Sequence, residues 1–203
     1  MGLYQRVVVP RLVNWACSLP LMNRWRVAVC TGLSGDVVEI GFGTGLNVPH
    51  YPVAVTRVFA VEPSNESFAL GAGRLGASSV PVERVGLDGH SLALADGSCD
   101  AALVTFTLCT VEDPALVLAE VRRVLRPDSS LHFLEHGLAP QARVARWQRR
   151  LDPIERVIAD GCHLTRDAPA LVRAAGFDIV ELEQRFAAGP KPWSYFSVGR
   201  ARR

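Results

Sequence analysis

Two hydrophobic periods alternate along the chain. Short, nearly continuous apolar runs occur at 37–40, 58–61, 80–85, 101–106 and 131–135, rich in valine and leucine. That is the pattern of strands buried on both faces. Two more short runs, at 179–180 and 195–198, read as a sixth and a seventh strand. Between the runs the period lengthens. Residues 67–75 read as a helix weakened by Gly71 and Gly73, and Asp113-Pro114 opens a helix with Leu116, Leu118, Val121, Val124 and Leu125 as its stripe. A third helix carries Arg143, Arg146, Trp147, Arg149 and Arg150, and a fourth spans 167–175, stopped by Gly176. Alternating strands and helices predict an α/β fold: a doubly wound, mostly parallel, seven-stranded sheet with helices on both faces.

Residues 1–34 precede the first strand. Leu12, Trp15, Leu19, Trp25 and Val29 recur at roughly helical spacing, and Pro20 divides the segment into two helices. Such a segment packs on the body of the domain, covers its site as a lid, or touches lipid. With 203 residues and no linker or repeat, the chain suits a single domain. Its parts are an N-terminal helical segment (1–34), a core (35–135) and a remainder of helices and last strands (136–203).

Net charge is only +2, which gives no general attraction to nucleic acid. Cys17, Cys30, Cys99, Cys109 and Cys162 are odd in number and form no C-x-x-C pair. This argues against a disulfide framework and a structural zinc site, and no metal is expected. No apolar run reaches the length of a transmembrane helix, and Pro10 and Arg11 interrupt Val7-Val8-Val9, so no signal peptide is expected. The cytoplasm is the expected location, with peripheral membrane contact left open by the basic Trp147 helix.

The first strand runs into Glu39-Ile40-Gly41-Phe42-Gly43-Thr44-Gly45-Leu46-Asn47. Glycines at every second position suit a tight turn that lets backbone approach a ligand at the carboxyl edge of the sheet. Glu62 ends the second strand about twenty residues later, where a carboxylate accepts hydrogen bonds from a ribose diol. A dinucleotide fingerprint needs a third glycine where Leu46 stands. The E-x-G-x-G-x-G pattern instead resembles class I S-adenosylmethionine-dependent methyltransferases, whose fold is Rossmann-like. Val61-Glu62-Pro63-Ser64, Asp88-Gly89, Asp96-Gly97-Ser98-Cys99-Asp100 and Val121-Arg122-Arg123-Val124-Leu125-Arg126-Pro127 follow in that family's order.

A narrower resemblance comes from Leu108-Cys109-Thr110-Val111, Leu134-Glu135-His136, Trp147-Gln148, Leu151-Asp152-Pro153 and the stretch from Asp160-Gly161-Cys162-His163 to Arg166. These are similar to the methyltransferase-like group that includes the animal alkyl-thiol S-methyltransferases. This chain is expected to lack their full N-terminal anchor, and it carries Pro127-Asp128-Ser129 for Pro-Gly-Gly.

The resemblance implies S-adenosylmethionine as cofactor and a small, fairly apolar acceptor, a thiol among the candidates. It implies that Gly41, Gly43 and Gly45, with Phe42 and Asn47 on the same loop, seat the methionine and ribose portions. Glu39 would lie beneath, facing the α-ammonium. Glu62 would take the ribose hydroxyls beside Pro63 and Ser64, Asp88 and Gly89 the adenine, and Thr105 and Phe106 would border the methionine end. Core 35–135 then binds cofactor, and 136–203 serves the acceptor. A phospholipid or other amine N-methyltransferase and a non-catalytic cofactor-binding protein are the alternatives. A nucleobase enzyme would carry an Asn/Asp-Pro-Pro-Tyr-like stretch where Thr107-Leu108-Cys109-Thr110 stands. No protein partner is implied.

Methyl transfer needs positioning above all. Where the acceptor must lose a proton, His136, Asp160 and His163 are the candidates to assist, since they fall outside the cofactor motifs. Cys109 and Cys162 read as small buried fillers.

Overall fold

The computed structural model describes residues 11, 14, 15, 17–86, 89–159 and 161–203. Most of the first predicted helix, together with Asp88 and Asp160, lies outside them. The strands are β1 Gly35–Ile40, β2 Val55–Val61, β3 Val82–Gly86, β4 Cys99–Thr105, β5 Leu125–His136, β6 Asp178–Phe186 and β7 Tyr195–Arg202. The helices are α1 Pro20–Cys30, α2 Asn65–Leu70, α3 Ala72–Gly76, α4 Pro114–Val124, α5 Ala142–Ile158 and α6 Ala168–Ala174.

One seven-stranded sheet runs in the order β3-β2-β1-β4-β5-β7-β6. The pairs from β3 through β5 are parallel, while β7 runs antiparallel to both β5 and β6. The chain order reverses between β1 and β4, the point where doubly wound sheets open a crevice at their carboxyl ends.

Successive residues of the central strands point to opposite faces, and both faces are buried. Val38, Ile40, Val104 and Phe133 meet Val117, Leu118 and Val121 of α4 and Val172 of α6. Val37, Leu103 and Leu134 meet Met22, Trp25 and Val29 of α1. This explains why the central strands read as largely apolar runs.

The helices start where local chemistry favours them. Pro20 occupies the first turn of α1. At α4, Asp113 accepts hydrogen bonds from the amides of Ala115 (2.9 Å) and Leu116 (3.2 Å).

Two details differ from the sequence expectation. Residues 67–75 form two short helices rather than one, broken at Gly71. There a Cβ would stand 2.9 Å from the Thr44 carbonyl oxygen, so close approach to the glycine-rich loop outweighs helical continuity. Strand β5 begins at Leu125 rather than Leu131, pairing Cys99 with Leu125 and then Ala101 with Ser130. Asp128 takes φ +63° within that irregularity, a conformation aspartate tolerates better than most residues.

Candidate active site

The glycine-rich loop leaves β1 under Glu39, which is fully buried. Asn47 Nδ2 donates to its Oε1 (2.9 Å) and the Tyr51 hydroxyl to its Oε2 (2.5 Å). Asn47 also donates to Thr105 Oγ1 (3.0 Å) and accepts from Arg26 Nη1 of α1 (2.7 Å). Burial pushes the Glu39 carboxyl up to about 7, opposed by its bonds to Tyr51 and Asn47 and by the Arg26 charge. Asn47 is thus a buried strut beneath the loop, with its amide turned to protein partners.

Gly41 and Gly43 are glycines for different reasons. At Gly41, with φ +70°, a Cβ would collide with Thr107 Oγ1 at 2.0 Å. At Gly43, with φ +59°, the nearest neighbour of a Cβ is the Gly41 carbonyl at 3.8 Å. Gly43 is therefore bare toward open space, as a backbone that must approach a ligand requires. At Gly45 a Cβ would press on the Phe42 ring at 3.0 Å. The Phe42 side chain is itself buried, 5.5 Å from Phe68 between ring centroids, and its amide donates to the Val61 carbonyl while its carbonyl accepts from Gly45.

Glu62 stands at the end of β2 and clasps this loop. Its Oε2 accepts the Gly43 amide (2.7 Å) and its Oε1 the Ser64 amide (2.8 Å). Burial raises its pKa against those two bonds and the Arg84 charge. Ser64 in turn accepts from the Ser67 amide (3.0 Å) at the start of α2, after the exposed Pro63. Gly89 packs under the first strand, where a Cβ would lie 3.3 Å from Ile40 Cγ2. The N-terminal segment reaches the loop through a Thr44–Asn14 side-chain bond of 2.7 Å.

Across the switch point, β4 ends at Thr105, and Phe106 adopts φ +51°. Such backbone strain in a non-glycine residue persists only when its surroundings enforce it. The ring lies 6.4 Å from His136, stacked, and 5.3 Å from Phe196, edge-on.

The structure thereby brings His136, the last residue of β5, to the end of β4. Its Nε2 lies 2.8 Å from Cys162 Sγ, and Cys162 Sγ lies 3.6 Å from Cys109 Sγ. The hydrogen bond from Cys162 draws the Cys109 thiol well below its usual range despite burial, with help from His136. The same bond and burial push Cys162 up. Burial alone would lower His136, but the nearby Cys109 charge, with Glu155 and Asp152, outweighs it and raises it. The sequence context of both cysteines predicts buried fillers. They are buried, and they also meet a histidine.

His163 is placed differently. Its amide donates to the Cys109 carbonyl (2.7 Å), while its ring sits 3.5 Å from Asp152 of α5. Burial and Arg166 lower its pKa, opposed by Asp152. The ring lines a cavity of about 500 Å3 with Thr110, Pro153, Arg156, Gly161 and Arg166.

Three supports had no assigned role in the sequence reading. Glu135, fully buried, accepts the amides of Thr107 (2.7 Å), Leu108 (2.9 Å) and Cys109 (3.2 Å). Arg166 donates to the carbonyls of Leu108 and Val111, both at 2.6 Å. Asp152 accepts from the Thr165 amide (3.2 Å) and hydroxyl (3.1 Å). Each belongs to a short motif that carried the narrower resemblance, and that was the only signal available.

The model of the methyltransferase domain family matches residues 38–133. Thiol S-methyltransferase TMT1B of Rattus norvegicus is 38% identical over 175 residues, 83% of this chain and 69% of the relative. TMT1B of Homo sapiens is 38% identical over 176 residues, 83% of this chain and 70% of the relative. Among solved structures, a SAM-dependent methyltransferase of Thermotoga maritima superposes with a TM-score of 0.70 at 24% identity, covering 98% of this chain and 97% of its own.

Proposed function

The chain belongs to the methyltransferase domain family, and from that premise we propose that it moves a methyl group from S-adenosylmethionine to the sulfur of a small, fairly apolar thiol. The observation that carries this reading is the reach of the likeness. Identity to the rat thiol S-methyltransferase extends over 83% of the chain, past the shared 38–133 core and into the acceptor side.

The cofactor suits the residues present, since Gly43 is open where a ligand must approach and Glu62 holds a carboxylate beside it. Bound there, S-adenosylmethionine supplies an already activated methyl group. The chain's own part is placement. Gly41, Gly43 and Gly45 offer backbone to the methionine and ribose, and Glu62 accepts from the ribose hydroxyls. Glu39, beneath the loop, receives the α-ammonium directly or through water, and Thr105 and Phe106 border the methionine end. Asp88 and Gly89 serve the adenine. A lid role for the N-terminal segment is supported by the Asn14–Thr44 bond, and 136–203 serve the acceptor. Holding acceptor and donor in line contributes roughly 7–11 kcal/mol. Of the described proton-transfer candidates, His136 is the one with contact to Phe106, while the His163 ring pairs with Asp152.

A second reading is an amine methyltransferase acting at an anionic membrane surface. It is favoured by α5, which exposes Trp147, Ile154, Val157 and Ile158 beside its arginines. No described helix is long and apolar enough to cross a membrane.

Labelled S-adenosylmethionine offered with alkanethiols, alkylamines, phenols and phosphatidylethanolamine vesicles decides between them. Thioether formation is expected. Label appearing only on amine or lipid would overturn the thiol reading.

A further inference from the structure

Cys109, His136 and Cys162 come from three different segments: the loop after β4, the end of β5 and the loop after α5. One ligand atom from each lies within 4.8 Å of the other two. Tetrahedral zinc, with Zn–S of about 2.3 Å and Zn–N of about 2.0–2.1 Å, places its ligand atoms about 3.5–3.8 Å apart. The observed separations of 2.8 Å and 3.6 Å, with none beyond 4.8 Å, bracket that spacing.

The ligand set is two sulfurs and one imidazole with no carboxylate, which suits zinc and excludes the hard cations. Glu135 fixes the loop that carries Cys109 through three amides, so that ligand is held in position. Thr110 and Gly161, the chain neighbours of Cys109 and Cys162, line the cavity of about 500 Å3.

We propose that Cys109, His136 and Cys162 hold a Zn2+ ion whose fourth ligand is the sulfur of the acceptor thiol. The fourth-ligand part rests on the thiol reading above. Three protein ligands with one open position is the arrangement of a catalytic rather than a structural zinc. The stacking of His136 on Phe106 sets the cluster beside the end of β4, where the methyl group would be presented.

The step balances as follows. The thiol R–SH displaces water from zinc and loses its proton to solvent. A sulfur lone pair of the bound thiolate forms the new S–C bond as the C–S bond to the donor sulfonium breaks. The thioether and S-adenosylhomocysteine leave, both neutral at sulfur. A metal-bound thiol ionises outright, so the acceptor needs no separate base.

The test uses the full chain, purified under reducing conditions. Metal content is measured after incubation with Zn2+ and dialysis. Co2+ replaces zinc for spectroscopy, and butanethiol is the probe. One equivalent of Zn2+ is expected, with a thiolate-to-cobalt charge-transfer band that grows when butanethiol is added. Cys109→Ser and Cys162→Ser are each expected to weaken Zn2+ binding by more than about 100-fold while retaining the parent circular-dichroism spectrum. Should either fail to fold, binding by the parent chain alone still decides. Absence of Zn2+ and of the cobalt band in the folded parent overturns the site. A cobalt band unchanged by butanethiol overturns the fourth ligand. The labelled-methyl assay is read independently, so thioether formation without bound metal removes this proposal and leaves the thiol reading standing.

Discussion

At the scale of single residues, the glycine-rich loop separates packing from access. Gly41 has no room for a methyl group and Gly43 has ample room, though both sit at positive φ. Gly41→Ala should therefore cost about 2–5 kcal/mol, combining overpacking against Thr107 with left-handed strain. Gly43→Ala should cost only about 1–2 kcal/mol, from strain alone, yet weaken cofactor binding distinctly. Thermal melts and calorimetry on the two variants check this contrast; equal melting temperatures would contradict it.

Glu39 gives a pH signature. Its folded pKa of about 7 lies above the ordinary carboxyl value of 4.5, because burial disfavours the charge. The stability it contributes is fully present below about pH 4.5 and is lost as pH rises through about 7. Denaturant melts of the parent and Glu39→Gln from pH 4 to 8 should show the parent falling relative to the variant by a few kcal/mol across that window. A constant difference would mean that Glu39 does not titrate there.

At the scale of elements, α4 is set by its first residues and its stripe. Asp113→Ala removes the acceptor of the Ala115 and Leu116 amides and should cost about 1 kcal/mol, with cofactor affinity unchanged. Chemical denaturation and calorimetry read the two quantities separately. Helix α1 was legible as a helix from its period and Pro20, but its partner was not. Trp25 is 1% exposed, packed edge-on against Phe196 at 5.3 Å. Nothing local to 20–30 announces a contact with a strand that begins at residue 195. The break at Gly71 was hidden for the same reason, since its cause is Thr44, distant in sequence.

At the scale of the whole molecule, ligand binding must appear as stability. The donor and S-adenosylhomocysteine bind only the folded chain, so each at 100 times its Kd should add about 2.7 kcal/mol, whereas NAD should add nothing. Differential scanning fluorimetry across a concentration series checks this, and a shift with NAD alone would overturn the cofactor assignment.

The sequence by itself determined whatever is written at short range. The largely apolar runs dictated central strands buried on both faces, and their alternation with helices dictated a doubly wound sheet. The glycines and Glu62 sit at fixed offsets from strand ends, so their meeting at the carboxyl edge of the sheet followed from spacing. Tertiary structure alone decided what depends on convergence from distant segments. Asn47 belongs to the turn motif, yet its amide faces inward because Glu39, Thr105 and Arg26 surround it. Cys109, His136 and Cys162 have no diagnostic spacing, because their meeting is set by the parallel alignment of β4 and β5 and by the return of α5. A side chain's period can be read along one segment, but the distance between two loops is fixed only when the sheet between them has formed.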